Sequence, residues 1–168
     1  MKKHHIIGLV LVLAFAFTMG AGCGEKTAEK KAENAIESAT NQDVDVDLDN
    51  DTVTINTSEG SFSSGENISL PDSFPSDVHV VSGTITAATT VTENEAYSVS
   101  VETTKSVADV KSEYEDQLAA DGWTVTMSLS IGTGTTIGAE KGDRTVTITI
   151  DQADNGKTVV ILATSTSQ

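Results

Sequence analysis

The stretch SVADVKSEYEDQLAADGW, residues 106–123, decides the fold. On either side of it apolar residues recur at every second position. Within it they stand at Val107, Val110, Tyr114 and Leu118, the spacing of one face of an α-helix. Ser106 offers a hydroxyl to the first free backbone amides, with Asp109 at the third helical position, and Gly122 supplies the stop. The spacing predicts an amphipathic helix of about 15 residues, with Glu113, Glu115 and Asp116 facing water. Tyr114 and the adjoining Trp123 are expected in the core, since both are large and mainly apolar.

The flanks read as strands. VHVVSGTITAATTV (78–91) and EAYSVSVETT (95–104) are rich in β-branched residues, with Tyr97, Val99 and Val101 on one face. After the helix, Trp123, Val125, Met127, Leu129 and Ile131 alternate with Thr and Ser, and Ile137 and Ala139 suggest a short strand. Gly142-Asp143 then turns into RTVTITI (144–150), and Asn155-Gly156 leads into KTVVILAT (157–164). The order β-β-α-β-β-β-β with tight hairpins predicts an α+β domain over 70–168, an antiparallel sheet with the amphipathic helix packed across it. With aromatics at 4%, the core must rest on Val, Ile and Leu, and the many threonines suit the solvent face. Leu70-Pro71-Asp72-Ser73-Phe74-Pro75 marks the start of this domain, because two prolines without amide donors exclude regular structure.

Residues 43–69 are expected to form an acidic β-hairpin region. In DVDVDLDND (43–51) the aspartates alternate with Val44, Val46 and Leu48, so the carboxylates share one face of a strand. Two readings are open. Asp45, Asp47, Asp49 and Asp51 are candidate calcium ligands, because oxygen-rich loops space Asp in this way; yet Asn50 and Asn56 stand where an EF-hand needs Gly and Glu. The other reading is a solvated edge strand whose charge discourages intermolecular pairing. TVTIN (52–56) continues the alternation, and Ser58-Glu59-Gly60 offers a turn toward Ser61-Phe62-Ser63, giving a hairpin or a three-stranded unit.

The N-terminus has a different character. Lys2 and Lys3 precede an apolar run from Ile6 to Phe17, and no acidic residue occurs before Glu25. A basic start, a short apolar segment and small residues make a secretory signal, and 12 apolar residues fall short of the roughly 20 that span a bilayer. Ala21, Gly22 and Cys23 resemble the end of the lipobox of bacterial lipoproteins, with Gly20 where that family usually has leucine. The resemblance implies that residues 1–22 are removed and that Cys23 is acylated and becomes the N-terminus. An alternative cleavage signal, Ala14-Phe15-Ala16, would leave Cys23 as a free thiol. Residues 23–42 then form the lipidated end and a partly helical tether. Its Ala, Glu and Lys favour helix, but Ile36 is its only large apolar side chain. Fully extended, it could hold the domain roughly 60 Å from the membrane.

Composition narrows the function. The 168 residues carry 25 Asp+Glu against 10 Lys+Arg, a net charge of −15, which argues against nucleic acid as a partner. One cysteine excludes an intramolecular disulfide framework and any multi-cysteine metal site. His79, between Val78 and Val80, is the sole histidine after the signal, and is either a catalytic base or a structural strand residue. Gly132-Thr133-Gly134 with Gly138 has part of a phosphate-cradling pattern, but no Lys-Ser/Thr pair follows, so it reads as a hairpin turn. Leu70 to Val78 and Val107 to Trp123 also resemble segments of small bacterial lipoproteins in which an L-P-x-x-F-P-x-D-V stretch and a helix ending in Gly-Trp flank paired strands. That resemblance implies a fold and no activity.

The expectation is therefore a non-catalytic envelope lipoprotein with no cofactor. It would be held to the lipid bilayer through Cys23 and bind another envelope protein. Its place would be the outer membrane of a Gram-negative cell or the outer face of the plasma membrane of a Gram-positive one. The alternatives are a calcium-responsive surface module and a cell-wall hydrolase, which would need paired carboxylates in a cleft.

Overall fold

The computed structural model describes residues 25–167, apart from 41, 42, 50 and 67. The expected signal peptide, with its Ala14-Phe15-Ala16 and lipobox motifs, and Cys23 lie outside the described residues. The chain divides into two compact units, Met1–Ser58 and Glu59–Gln168.

The first unit contains α1 (Glu25–Thr40), β1 (Val44–Asp49) and β2 (Thr52–Thr57). The two strands form an antiparallel hairpin with Val46 opposite Ile55. Alternation works as the aspartate pattern requires: Val44 and Val46 are buried while Asp45, Asp47 and Asp49 are exposed. The helix lies along β1. Glu29, Glu33 and Glu37, one turn apart, accept the backbone N–H groups of Leu48, Val46 and Val44 at 3.3, 3.4 and 3.5 Å. Four helical residues rise about 6 Å and two strand residues about 6.6 Å, so the two repeats stay in step over three pairs.

The second unit holds β3 (Gly60–Ser64), β4 (Thr84–Val91), β5 (Ala96–Thr103), α2 (Val107–Ala120), β6 (Thr124–Ile131), β7 (Gly134–Lys141), β8 (Arg144–Gln152) and β9 (Thr158–Thr166). Its strands are ordered β3-β4-β5-β9-β8-β7-β6 and every pair is antiparallel. Helix α2 lies against β6, β7 and β8. Its N-terminus is the expected capping box, in which the Ser106 hydroxyl accepts the Asp109 N–H at 3.2 Å. Its end is a Schellman turn: the Trp123 N–H donates to the Leu118 carbonyl and the Gly122 N–H to that of Ala119, with Gly122 at φ +78°. Val110, Tyr114 and Leu118 are buried against Val99 and Val101 of β5, Ile137 of β7, Val146, Ile148 and Ile150 of β8, and Val160 and Leu162 of β9.

This architecture corrects the expected α+β fold, an antiparallel sheet with one amphipathic helix packed across it, preceded by an acidic β-hairpin and a partly helical tether. Among the described residues the protein is mostly strand, with nine strands and two helices. Three physical reasons account for the difference. Ser61-Phe62-Ser63 extends into β3, which pairs with β4 from Gly60–Val91 to Ser64–Ala87. Gly60 permits that approach, since a Cβ there would lie 2.0 Å from the Thr90 carbonyl oxygen. Residues 25–40 form a continuous helix because their glutamates bind backbone amides of β1, a source of order independent of apolar burial.

The third reason lies in β6. Its register against β7 shifts between Val125–Ala139 and Met127–Gly138. A β-bulge inserts one residue and so exchanges the faces beyond it. Val125 stays on the helix side with buried Ala139, but Met127, Leu129 and Ile131 turn to the opposite face. The expected single apolar face of this strand is thus split, and all eight of its residues are exposed.

The Tyr114 hydroxyl accepts the N–H of Val81 at 3.2 Å inside the core. Burial pushes its phenol up to about 12. Tyr114→Phe is expected to cost about 1–3 kcal/mol, the penalty of a buried donor left without a partner. Urea unfolding of the two proteins measures it.

Candidate functional site

Two polar clusters form on residues far apart in sequence. In the first, Asp77 accepts Lys141 Nζ at 2.7 Å on one carboxylate oxygen and an Arg144 guanidinium nitrogen at 2.8 Å on the other. The Asp77 carbonyl accepts the Trp123 indole N–H at 3.2 Å. Both cations stand over that indole, Lys141 at 5.9 Å and Arg144 at 5.0 Å from the ring centre. The Gly142-Asp143 hairpin turn, with Gly142 at φ +64°, sets Lys141 opposite Arg144 and so brings both to one carboxylate. Two cations on one anion leave a local excess of positive charge in a protein of net charge −15.

The hydrogen bond from Arg144, with that from Lys141, holds the Asp77 carboxyl down at about 2, against some desolvation. A carboxylate with a lowered pKa stabilises the fold above its unfolded value of 3.8, and that contribution is lost as the pH falls toward about 2. Asp77→Asn is therefore expected to be less stable than wild type at neutral pH by about 1 kcal/mol, since the group is partly solvated. The difference should shrink between pH 4 and pH 2, which thermal melts across that range would record.

Beside this cluster is a shallow cavity of about 190 Å3. Ser73 and Pro75 border it, Tyr97 and its register partner Thr164 line it from β5 and β9, and Arg144 and Glu95 supply opposite charges. The Phe74 ring meets Tyr97 edge-on at 5.7 Å and fixes that wall. Glu95 has φ +45°, a left-handed conformation that non-glycine residues seldom adopt. What this arrangement offers is a compact polar recess with an aromatic wall and a guanidinium at its border.

The second cluster surrounds His79. Its Nε2 is 2.9 Å from Glu113 Oε1, and Lys105 pairs with the other oxygen of the same carboxylate. The bond from Lys105, and after it that from His79, lowers the Glu113 pKa. The imidazole also meets the Tyr114 ring edge-on at 5.5 Å. The His79 hydrogen bond thus goes to a carboxylate already engaged by a lysine.

The residues singled out in the sequence are placed as follows. Asp45, Asp47 and Asp49 point to solvent from one face of β1, and Asp51 is exposed in the β1–β2 turn. Among the described residues no group of three or more His, Cys, Asp or Glu is arranged to hold a metal ion. Gly132-Thr133 is a two-residue hairpin turn closing on Ile131 and Gly134, and the Thr133 hydroxyl donates to Asp151 at 3.1 Å. Sequence patterning does not reveal the Asp77–Trp123–Lys141–Arg144 cluster, because its members lie 46 to 67 positions from Asp77. The one local hint is the pair of cations flanking a tight turn.

Residues 85–158 match the family model described as START domain-like. The match covers under half of the chain, from β4 through α2 and β8 to the first residue of β9. START-like folds are of the helix-grip kind, and in the matched segment α2 lies against β6, β7 and β8. Tyr97, Glu95 and Arg144 of the cavity fall inside the START-like segment, as do Trp123 and Lys141. Neither the comparison with curated proteins nor that with solved structures gives a match.

Proposed function

We propose that this protein is a lipid-anchored bacterial envelope module whose second unit binds a ligand or partner without catalysing a reaction. The observation that carries the reading is the recess bordered by Arg144, Glu95 and Tyr97, within a START-like segment. The Asp77 and His79 clusters consist of ion pairs whose members bind one another, where a catalytic set would keep a base beside a nucleophile. Lipidation at Cys23 follows from the lipobox resemblance and supplies the link to the bilayer.

A photo-crosslinking residue at Tyr97 in the full chain, irradiated in intact cells, is expected to form a discrete adduct that Arg144→Ala weakens. No adduct, or one indifferent to Arg144, would remove the content of this proposal.

A second reading, calcium response by the acidic unit, is favoured by a cleft of about 470 Å3 lined by Glu33, Glu37, Asp43 and Asp45. Asp45 is the residue it shares with the aspartate series of β1. Calcium at 100 times its dissociation constant should stabilise by about 2.7 kcal/mol. Superimposable thermal melts with calcium and with chelator would dismiss it.

A further inference from the structure

Strand β6 has one neighbour, β7, so its far edge presents unpaired backbone groups. Edges of this kind are normally blunted with charges or covered by a helix. β1 shows both protections at work, with three exposed aspartates and a row of glutamates from α1 on its amides. β6, TVTMSLSI, has neither: no residue in it is charged, and Met127, Leu129 and Ile131 are 46%, 50% and 74% exposed.

Which backbone groups face outward follows from the turn. A two-residue hairpin closes on a hydrogen-bonded pair, here Ile131 with Gly134, so Ile131, Leu129 and Met127 direct their backbone bonds toward β7. Ser128 and Ser130 direct theirs away from the sheet. The side chains divide in step. Met127, Leu129 and Ile131 stand on the open face, with Met127 over Gly138. Ser128 and Ser130 stand on the helix side, where their hydroxyls engage Glu115 and Thr135.

From this geometry we infer that β6 pairs antiparallel with β6 of a second copy of this chain, in the register centred on Leu129. In that register Ser128 and Ser130 of one copy meet Ser130 and Ser128 of the other as hydrogen-bonded pairs, and the outward backbone groups of both are satisfied. Leu129 faces Leu129 across the twofold axis, and Met127 faces Ile131 twice. Apolar side chains meet apolar ones on one face and hydroxyls meet hydroxyls on the other, as a self-complementary interface requires. Charge favours the same occupant. Two copies of net charge −15 repel through most of their surfaces, and these eight residues contain no acid. The carboxylate bonded to Ser128, Glu115, is already paired with Lys111 at 2.8 Å. The bulge at Val125–Met127 has a purpose in this arrangement, since without it Met127, Leu129 and Ile131 would lie on the helix side.

The test is made on the full chain in its own membrane, with Cys23 in place. Leu129→Cys is expected to give a disulfide-linked dimer on mild oxidation. Thr147→Cys, exposed on the same face but two strands inward, should give no disulfide-linked dimer, and neither should wild type. Ser128→Pro removes an outward N–H and leaves the β7 ladder intact. Combined with Leu129→Cys, it should reduce the linked species at least tenfold while the melting temperature holds. Leu129→Lys provides a second variant, read by sedimentation of the purified chain, and is expected to be monomeric where wild type is dimeric. A wild-type chain that stays monomeric at all concentrations would overturn the pairing. So would a dimer that survives both Ser128→Pro and Leu129→Lys, or Leu129→Cys linking only to a different protein or being shielded only by lipid.

Discussion

Trp123→Ala is expected to lower the unfolding free energy by about 3–5 kcal/mol, the cost of emptying a large buried aromatic site. Trp123 is 5% exposed and packs with Val78, Leu118 and the rest of the core. Its loss should reach further than its volume. The Asp77 carbonyl loses its donor, and Lys141 and Arg144 lose the ring beneath them. At about 4 °C per kcal/mol, the melting temperature should fall by roughly 12–20 °C. Circular dichroism is the appropriate probe, since Trp123 is the only tryptophan and the variant has no indole to report. Trp123→Phe should recover part of the loss by refilling the site, though without the N–H donor. If Trp123→Ala melted within a few degrees of wild type, the indole would not be the joint between α2 and the segment around Asp77.

The second large effect concerns the N-terminus. Cys23→Ser is expected to move the protein from the membrane pellet to the soluble fraction almost completely, because the thiol is the group that acylation requires. Each buried methylene contributes about 0.8 kcal/mol and a single chain holds only marginally, so two or three chains make the difference between stable and absent anchoring. Mass spectrometry of the N-terminus supplies the independent reading: an acylated Cys23 in wild type and an unmodified chain in the variant. Equal membrane fractions for both would dispose of the anchor.

How much was legible beforehand differs by element. Helix α2 was readable almost to the residue, because Ser106, Asp109, Gly122 and the Val110–Tyr114–Leu118 stripe are local signals within one or two turns of each other. The strands β4, β5, β8 and β9 were readable from their alternation, which is also local. Helix α1 was underestimated because its order comes from glutamates bonded to amides 7 to 19 residues onward, an interaction that no hydrophobic period encodes. β6 was misjudged for the opposite reason. Its alternation is perfect in sequence, but a bulge inserts one residue against β7 and turns three apolar side chains outward.

The sequence by itself thus determined the positions of α2 and most strands, the acidic face of β1, and the signal-like N-terminus with its single cysteine. Those features depend on covalent neighbours and on periods of 2 and 3.6, which any short window contains. Only the tertiary structure decided the seven-strand order, the face on which Met127, Leu129 and Ile131 stand, and the gathering of Asp77, Trp123, Lys141 and Arg144. These depend on register between strands and on contacts across more than 40 residues, where a shift of one position exchanges inside for outside.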